Sequence, residues 1–101
     1  DADRLEALGA IGIARTFATG ARMNSAFAHP ADPWALGRDL DDRSWSVDHF
    51  FAKLLKLPAS FHTPQGQAQA ALRCERLVDF LTWFGDEIGA ALPQERTEIS
   101  D

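Results

Sequence analysis

The residues of this chain that could do chemistry are two aspartates at its start, three histidines and one cysteine. Histidine with cysteine suggests zinc, but the separations along the chain are 20, 13 and 12 residues, which match no closed zinc site of paired ligands. The sequence also lacks a phosphate loop, a dinucleotide fingerprint and the G-x-S-x-G and H-E-x-x-H motifs. It therefore disfavours a zinc site made from His29, His49, His62 and Cys74.

The acidic residues have plain structural interpretations. Asp1 and Asp3 precede an apolar stretch, and carboxylates at a helix N-terminus satisfy free N–H groups and oppose the helix dipole. The cluster Asp39, Asp41 and Asp42 resembles half of a calcium loop, but it lacks the central glycine and the terminal glutamate. By residue type alone, the first pair predicts a helix start and the cluster predicts a solvated acidic turn.

Helices are predicted to position these side chains, and we expect an all-α fold of about three helices. Apolar residues spaced three and four apart predict a first, buried helix over about residues 3–21. Gly9 and Gly12 lie inside it and should let another helix approach closely, because glycine is otherwise unfavourable in a helix.

Two further helices are predicted in the second half. Ser46 is a good N-cap for a helix that ends near Pro58. Thr63 followed by Pro64 predicts the start of the longest helix, which can run to about Leu92. Its apolar stripe is Ala70, Cys74, Leu77, Leu81, Phe84, Ile88 and Ala91.

One long irregular loop is expected over residues 22–44, where Pro30 and Pro33 prevent a regular element. Unstructured connections longer than about 12–15 residues are uncommon in compact domains and often form lids or binding loops. The alternative is an ordinary surface excursion anchored by Phe27 and Trp34.

Composition limits the function classes. The 101 residues carry a formal net charge of -5 with scattered basic residues, which disfavours binding to a nucleic acid duplex. A single cysteine, the lack of a secretory signal and the absence of a long apolar run predict one soluble domain in the cytoplasm without membrane contact.

Two stretches carry a family resemblance that covers nearly the entire chain. "DADRLEALGAIGIARTF" resembles D-A-D-R-L-D-A-[ILM]-G-A-I-G-I-A-R-[TV]-F, which closes the metal site in a subgroup of the HD-domain metal-dependent phosphohydrolases of the stand-alone bacterial type. The second half is similar to that subgroup's S-x-x-H-F-x-x-K-L-L-x-L, T, A-x-x-R and F-L-x-x-F pattern. Its matching residues are Ser46, His49, Phe50, Lys53, Leu54, Leu55, Leu57, Thr63, Ala70, Arg73, Phe80, Leu81 and Phe84.

The resemblance implies that Asp3, which precedes Arg4 and Leu5, is a ligand of a divalent metal such as manganese, magnesium or iron. Such a metal activates water and neutralises charge on a phosphoryl group. Asp1 has no ligand role in the pattern, so helix capping or support of the ligand is expected of it.

The chain departs from the family pattern in its histidines, because none of the three is followed by aspartate. The family's first histidine and its His-Asp pair should precede Asp1. We therefore expect residues 1–93 to be the C-terminal part of an HD domain and residues 94–101 to be a polar tail. We expect this piece alone to be catalytically inactive.

The resemblance also implies a cationic set for the substrate's phosphates, formed by Arg4, Lys53 and Arg73, with His49 near the site. Each has a structural alternative. Lys53 could snorkel from an amphipathic helix, Arg73 could form a surface ion pair with Glu75 or a neighbour, and His49 could be buried and hydrogen-bonded.

Two functions remain open. The first is part of a phosphohydrolase that cleaves phosphate esters or anhydrides, with nucleotides as the natural substrates. The second is a non-catalytic helical module that packs or forms a homo-oligomer through Phe80, Trp83 and Phe84.

Overall fold

The computed structural model describes residues 2–96, with side chains from Arg4 onward. Within these residues the chain is all-α, as expected, and no strand forms beyond an isolated bridge between Ala26 and Trp45. The α-helices are α1 (Ala2–Leu5), α2 (Gly9–Arg22), α3 (Ser46–Ala52) and α4 (Pro64–Ile88). Two 3-10 helices follow α3 and α4, at Leu54–Ser60 and Gln94–Arg96.

The start of α4 is confirmed. The Thr63 hydroxyl accepts a hydrogen bond from the Gly66 amide at 3.0 Å, and Pro64 occupies the first helical position. The helix ends at Ile88 rather than near Leu92, because Gly89 adopts a left-handed conformation with φ 77°.

The end of α4 is a Schellman motif. The Ala90 amide donates to the Gly85 carbonyl at 2.9 Å and the Gly89 amide donates to the Asp86 carbonyl at 3.4 Å. The first four residues of the predicted apolar stripe are buried, whereas Ile88 and Ala91, at and beyond the end of the helix, are exposed.

The predicted first helix is broken into α1 and α2, so a continuous helix over residues 3–21 was wrong. Leu8 is extended and Gly9 has φ 66°, which an L side chain rarely adopts. The expected close approach occurs at Gly9, where a Cβ would lie 3.2 Å from the Arg73 side chain of α4. Gly12 has another use, because a Cβ there would collide with the Ala7 carbonyl of the break.

The helix that begins at residue 46 is also shorter than expected. Trp45, not Ser46, occupies the N-cap position, and no side chain caps the helix. The chain tightens after Ala52 into the Leu54–Ser60 3-10 helix, which contains Pro58. Proline lacks an amide donor and clashes with the preceding turn of an α-helix, so a regular helix cannot continue through it.

The core lies where α4 meets α3 and the 3-10 helix that follows it. Its fully buried side chains include Leu8, Val47, Phe50, Leu77 and Leu81. Residues 23–45, called the connecting segment below, are irregular as predicted.

Trp34 anchors the connecting segment, since its side chain is buried and its Nε1 donates to the Ala90 carbonyl at 2.8 Å. Phe27, the other expected anchor, is 64% exposed, but its ring packs edge-on against Phe17 of α2 with ring centroids 5.2 Å apart, so it anchors the segment in part. Arg96, in the predicted polar tail, donates to the Trp34 and Ala35 carbonyls at 2.9 Å and lies over the Phe51 ring. Asp1 and residues 97–101 lie outside the described residues.

Candidate functional site

A cavity of about 310 Å³ lies between α2, α3 and the end of the connecting segment. Small-molecule sites typically occupy about 300 to 1,000 Å³, so the cavity is large enough for a compact ligand. Its charged lining is three cations against one carboxylate. The polar side chains that line it are Arg15, Arg43, Lys53, His49, Asp42, Thr16, Thr19, Ser25 and Ser46.

One face of α2 forms a wall of this cavity. Gly12, Thr16 and Gly20 are spaced four apart and Thr19 lies three residues after Thr16, which places them on one side of a helix, and all of them line the cavity. Gly20 has a packing role as well, because a Cβ there would collide with the Ser46 hydroxyl of α3. Glycine thus lets α3 approach the wall closely.

The opposite wall carries a hydrogen-bonded pair. His49 Nδ1 lies 3.0 Å from Asp42 Oδ2, and Lys53 Nζ lies 3.9 Å from the same oxygen. The hydrogen bond with His49, helped by the Lys53 charge, lowers the pKa of Asp42, although partial burial opposes the shift. The Asp42 carboxylate therefore stays ionised at neutral pH.

Asp41 shapes the turn that presents Asp42 and Arg43. Its Oδ1 accepts from the Arg43 and Ser44 amides at 3.3 Å, and hydrogen bonds from Ser44 lower the pKa of the carboxyl group. The Ser25 hydroxyl donates to the Arg43 carbonyl and ties the turn to the end of α2. The predicted acidic turn is thus an internally bonded turn at the edge of the cavity.

The structure brings two of the predicted substrate-site residues to the cavity, Lys53 and His49. Lys53 is largely exposed at the cavity edge, with its side chain at 67% relative exposure. His49 is half-buried and hydrogen-bonded to Asp42, and it also lines the cavity.

The other two predicted residues lie apart from the cavity lining and bind backbone. The Arg4 guanidinium donates to the Ser60 carbonyl at 2.7 Å, and Arg73 donates to the Leu5 carbonyl at 2.7 Å. Arg73 therefore binds a carbonyl rather than the carboxylate of Glu75. These two arginines fasten α1 to the second half of the chain.

Charged residues that the sequence did not assign to a substrate site complete this one. Arg15 and Arg43 supply two of its three cations, and Asp42 supplies its carboxylate. The repeated small and hydroxyl residues of α2 were a usable signal, since they follow helical spacing beside Arg15. Arg43 had no such signal, because irregular backbone places it.

The predicted metal ligand Asp3 belongs to α1, but its side chain lies outside the described part of the chain. Across the described residues, no group of three or more His, Cys, Asp or Glu side chains is arranged to hold a metal ion. The described residues therefore hold no complete metal site, and the resemblance places only Asp3 of the ligand set within this chain.

Two of the other zinc candidates, His29 and Cys74, have structural roles. His29 Nδ1 accepts from the Ala31 and Asp32 amides at 3.0 and 2.9 Å, and its ring packs edge-on against Trp45. Cys74 is buried in the core, and burial raises the pKa of its thiol to about 11, so it is a poor nucleophile or ligand.

The aromatic residues of the alternative module are largely used inside the fold. Phe80 stacks on both Phe50 and Phe84, with ring centroids 5.9 Å apart in each pair. Trp83 is 62% exposed. One exposed indole is a small surface on which to build an oligomer.

Comparison of the chain with protein-family models and with curated proteins gives no match. Among the described helices, none combines the length and apolar character needed to cross a membrane.

Proposed function

We propose that this chain is the C-terminal part of a cytoplasmic HD-type phosphohydrolase. The intact protein would hydrolyse phosphate ester or anhydride bonds of a phosphorylated small molecule, with nucleotides as the expected substrates. The observation that carries the proposal is the cationic cavity, which holds Lys53 and His49 of the family-like pattern beside Arg15 and Arg43.

The chemistry of the lining suits a phosphate group. Guanidinium and ammonium groups form charge-assisted hydrogen bonds to phosphate oxygens, and hydroxyl groups can donate to the same oxygens. The excess of positive charge is local, since the chain as a whole carries a net charge of -5. Such a cavity would concentrate anions against the general field of the protein.

The proposal assigns Asp3 as a ligand of manganese, magnesium or iron, on the resemblance alone. The other ligands would have to come from outside the described residues, because these contain no group able to hold the ion. The side chains of the cavity bind and orient the phosphate, and that part of the proposal is independent of which metal is used.

A hydrolysis screen of nucleotides and simple phosphoesters by the intact protein, with each divalent metal in turn, tests the function. We expect activity that Asp3→Ala abolishes. Lys53→Ala should raise KM by about fivefold, since an exposed ion pair contributes up to about 1 kcal/mol. Lys56→Ala is the matched control, because Lys56 is exposed on the neighbouring 3-10 helix and does not line the cavity.

The proposal is wrong if no phosphate compound is hydrolysed, or if Asp3→Ala retains full activity. Equal effects of Lys53→Ala and Lys56→Ala on KM would show that the cavity does not bind the phosphate of the substrate.

A further inference from the structure

The His49–Asp42 pair has a geometry that fixes the ring's proton. A carboxylate only accepts hydrogen bonds, so with Asp42 Oδ2 at 3.0 Å the proton of the ring lies on Nδ1 and points toward Asp42. The other ring nitrogen, Nε2, is then the one that can exchange a proton with a ligand in the cavity that His49 lines.

We propose that His49, oriented by Asp42, is the general acid that protonates the leaving-group oxygen of a phosphate ester bound in this cavity. This role deepens the proposed function and rests on it. Imidazole is the side chain that most often transfers protons in catalysis, and His49 is the histidine that lines this cavity.

A water oxygen forms a new bond to phosphorus while the bond from phosphorus to the leaving oxygen breaks, and its electron pair stays on the leaving oxygen. Protonated His49 transfers its Nε2 proton to that oxygen. The proton lost by the attacking water passes to solvent, and His49 takes a proton from solvent to restore the imidazolium.

Asp42 makes this acid usable. Its ionised carboxylate compensates the imidazolium charge, which three cations lining the same cavity would otherwise oppose. Lys53 Nζ, at 3.9 Å from the same oxygen, adds a positive charge that favours the ionised form of Asp42. Asp42 is accordingly a positioning residue, and His49 is the residue that would contact the substrate.

A series of leaving groups tests the role in the intact protein. His49→Gln should lower kcat/KM about 100-fold or more for an alkyl phosphate, since general acid catalysis contributes roughly 10²–10⁴-fold. The same variant should lose less than about tenfold for 4-nitrophenyl phosphate, whose leaving group needs no proton. Asp42→Asn should show the same pattern with a smaller loss. His62→Gln is the control, because His62 does not line the cavity.

A structural role for His49 would reduce both substrates equally, and that result overturns the inference while leaving the proposed function standing. An intact wild-type protein that hydrolyses no phosphate compound overturns the proposed function and this role with it.

A measurement without turnover addresses the site directly. On addition of methylphosphonate, the ring signals of His49 in the NMR spectrum should shift, while those of His29 and His62 should stay in place. An unchanged His49 signal at saturating methylphosphonate also overturns the inference, because the acid must lie against the bound phosphoryl group.

Discussion

The Asp48 carboxylate is fully buried in the first turn of α3, and its partners all come from the connecting segment. Arg38 binds it through two nitrogens at 2.7 and 3.1 Å, and the Asp41 amide donates to it at 2.7 Å. The hydrogen bond with Asp48 raises the pKa of Arg38 above its ordinary value, although desolvation opposes the shift. A buried charge with three such bonds fixes the segment against α3.

Removing Arg38 should therefore be costly. Arg38→Ala leaves the Asp48 charge buried with one remaining donor, and breaking a buried pair in this way costs about 3–5 kcal/mol. We expect a loss of that size in the free energy of unfolding, measured by urea denaturation. Arg76→Ala, at an exposed position of α4, should change it by less than about 0.5 kcal/mol. If Arg38→Ala changes the free energy of unfolding by as little as Arg76→Ala does, the Arg38–Asp48 pair does not hold the connecting segment against α3.

Residue types predict local contacts better than distant ones. Thr63 and Pro64 could be recognised as a helix start because the capping hydrogen bond of the Thr63 hydroxyl reaches only three residues along the chain. The pairing of Arg38 with Asp48 depends on how irregular backbone folds back, and no periodicity in the sequence encodes that. Lys53 was named only because it falls on the family-like pattern, whereas Arg43, which irregular backbone places at the cavity, had no such pattern to mark it.

Among the helices, the break between α1 and α2 depends on Gly12. Helix propensity alone favours alanine over glycine by about 1 kcal/mol. A Cβ at this position would, however, collide with the backbone carbonyl of Ala7, which cannot rotate away as a side chain can. Gly12→Ala should therefore destabilise, by roughly 1–3 kcal/mol for overpacking.

Thermal or urea denaturation of the Gly12→Ala and Gly37→Ala variants tests whether the first substitution destabilises the protein. Gly37 is the matched control, because its nearest neighbour to an added Cβ is a side-chain oxygen at 3.8 Å, an ordinary contact. A stabilised Gly12→Ala variant would mean that the break yields and that α1 and α2 join.

The spacing of apolar residues predicted a helix correctly where its conformation does not depend on contacts with other elements. The buried face of α4 from Ala70 to Leu81 follows its three- and four-residue spacing. The broken first helix has the same spacing, but its apolar pattern does not report that Gly9 adopts a positive φ or that Gly12 lies against a carbonyl. Those features belong to tertiary packing, which overrides the local preference.

For the whole molecule, the all-α class followed from periodicity, but the connecting segment keeps its shape through hydrogen bonds to carboxylates within it. Three of its carboxyl groups, those of Asp32, Asp41 and Asp42, have lowered pKa values. Amide hydrogen bonds from Gly37 and Leu36 are the main cause at Asp32. These hydrogen bonds depend on ionised carboxylates, so lowering the pH should destabilise this segment in particular.

The sign of the pH effect follows from these directions. A carboxyl group whose folded-state pKa is below its ordinary value of 3.8 stabilises the fold above that pH, and the contribution is lost as the pH falls through the folded-state pKa. Stability should be nearly constant from about pH 7 to about pH 5 and should fall toward about pH 3. Asp32→Asn should be less stable than wild type at neutral pH, and the difference should shrink in acid.

Asp79→Asn, on the exposed surface of α4, is the control for urea denaturation at each pH. A gap between wild type and Asp32→Asn that is equally large at both ends of this range would show that the Asp32 carboxylate does not hold the segment.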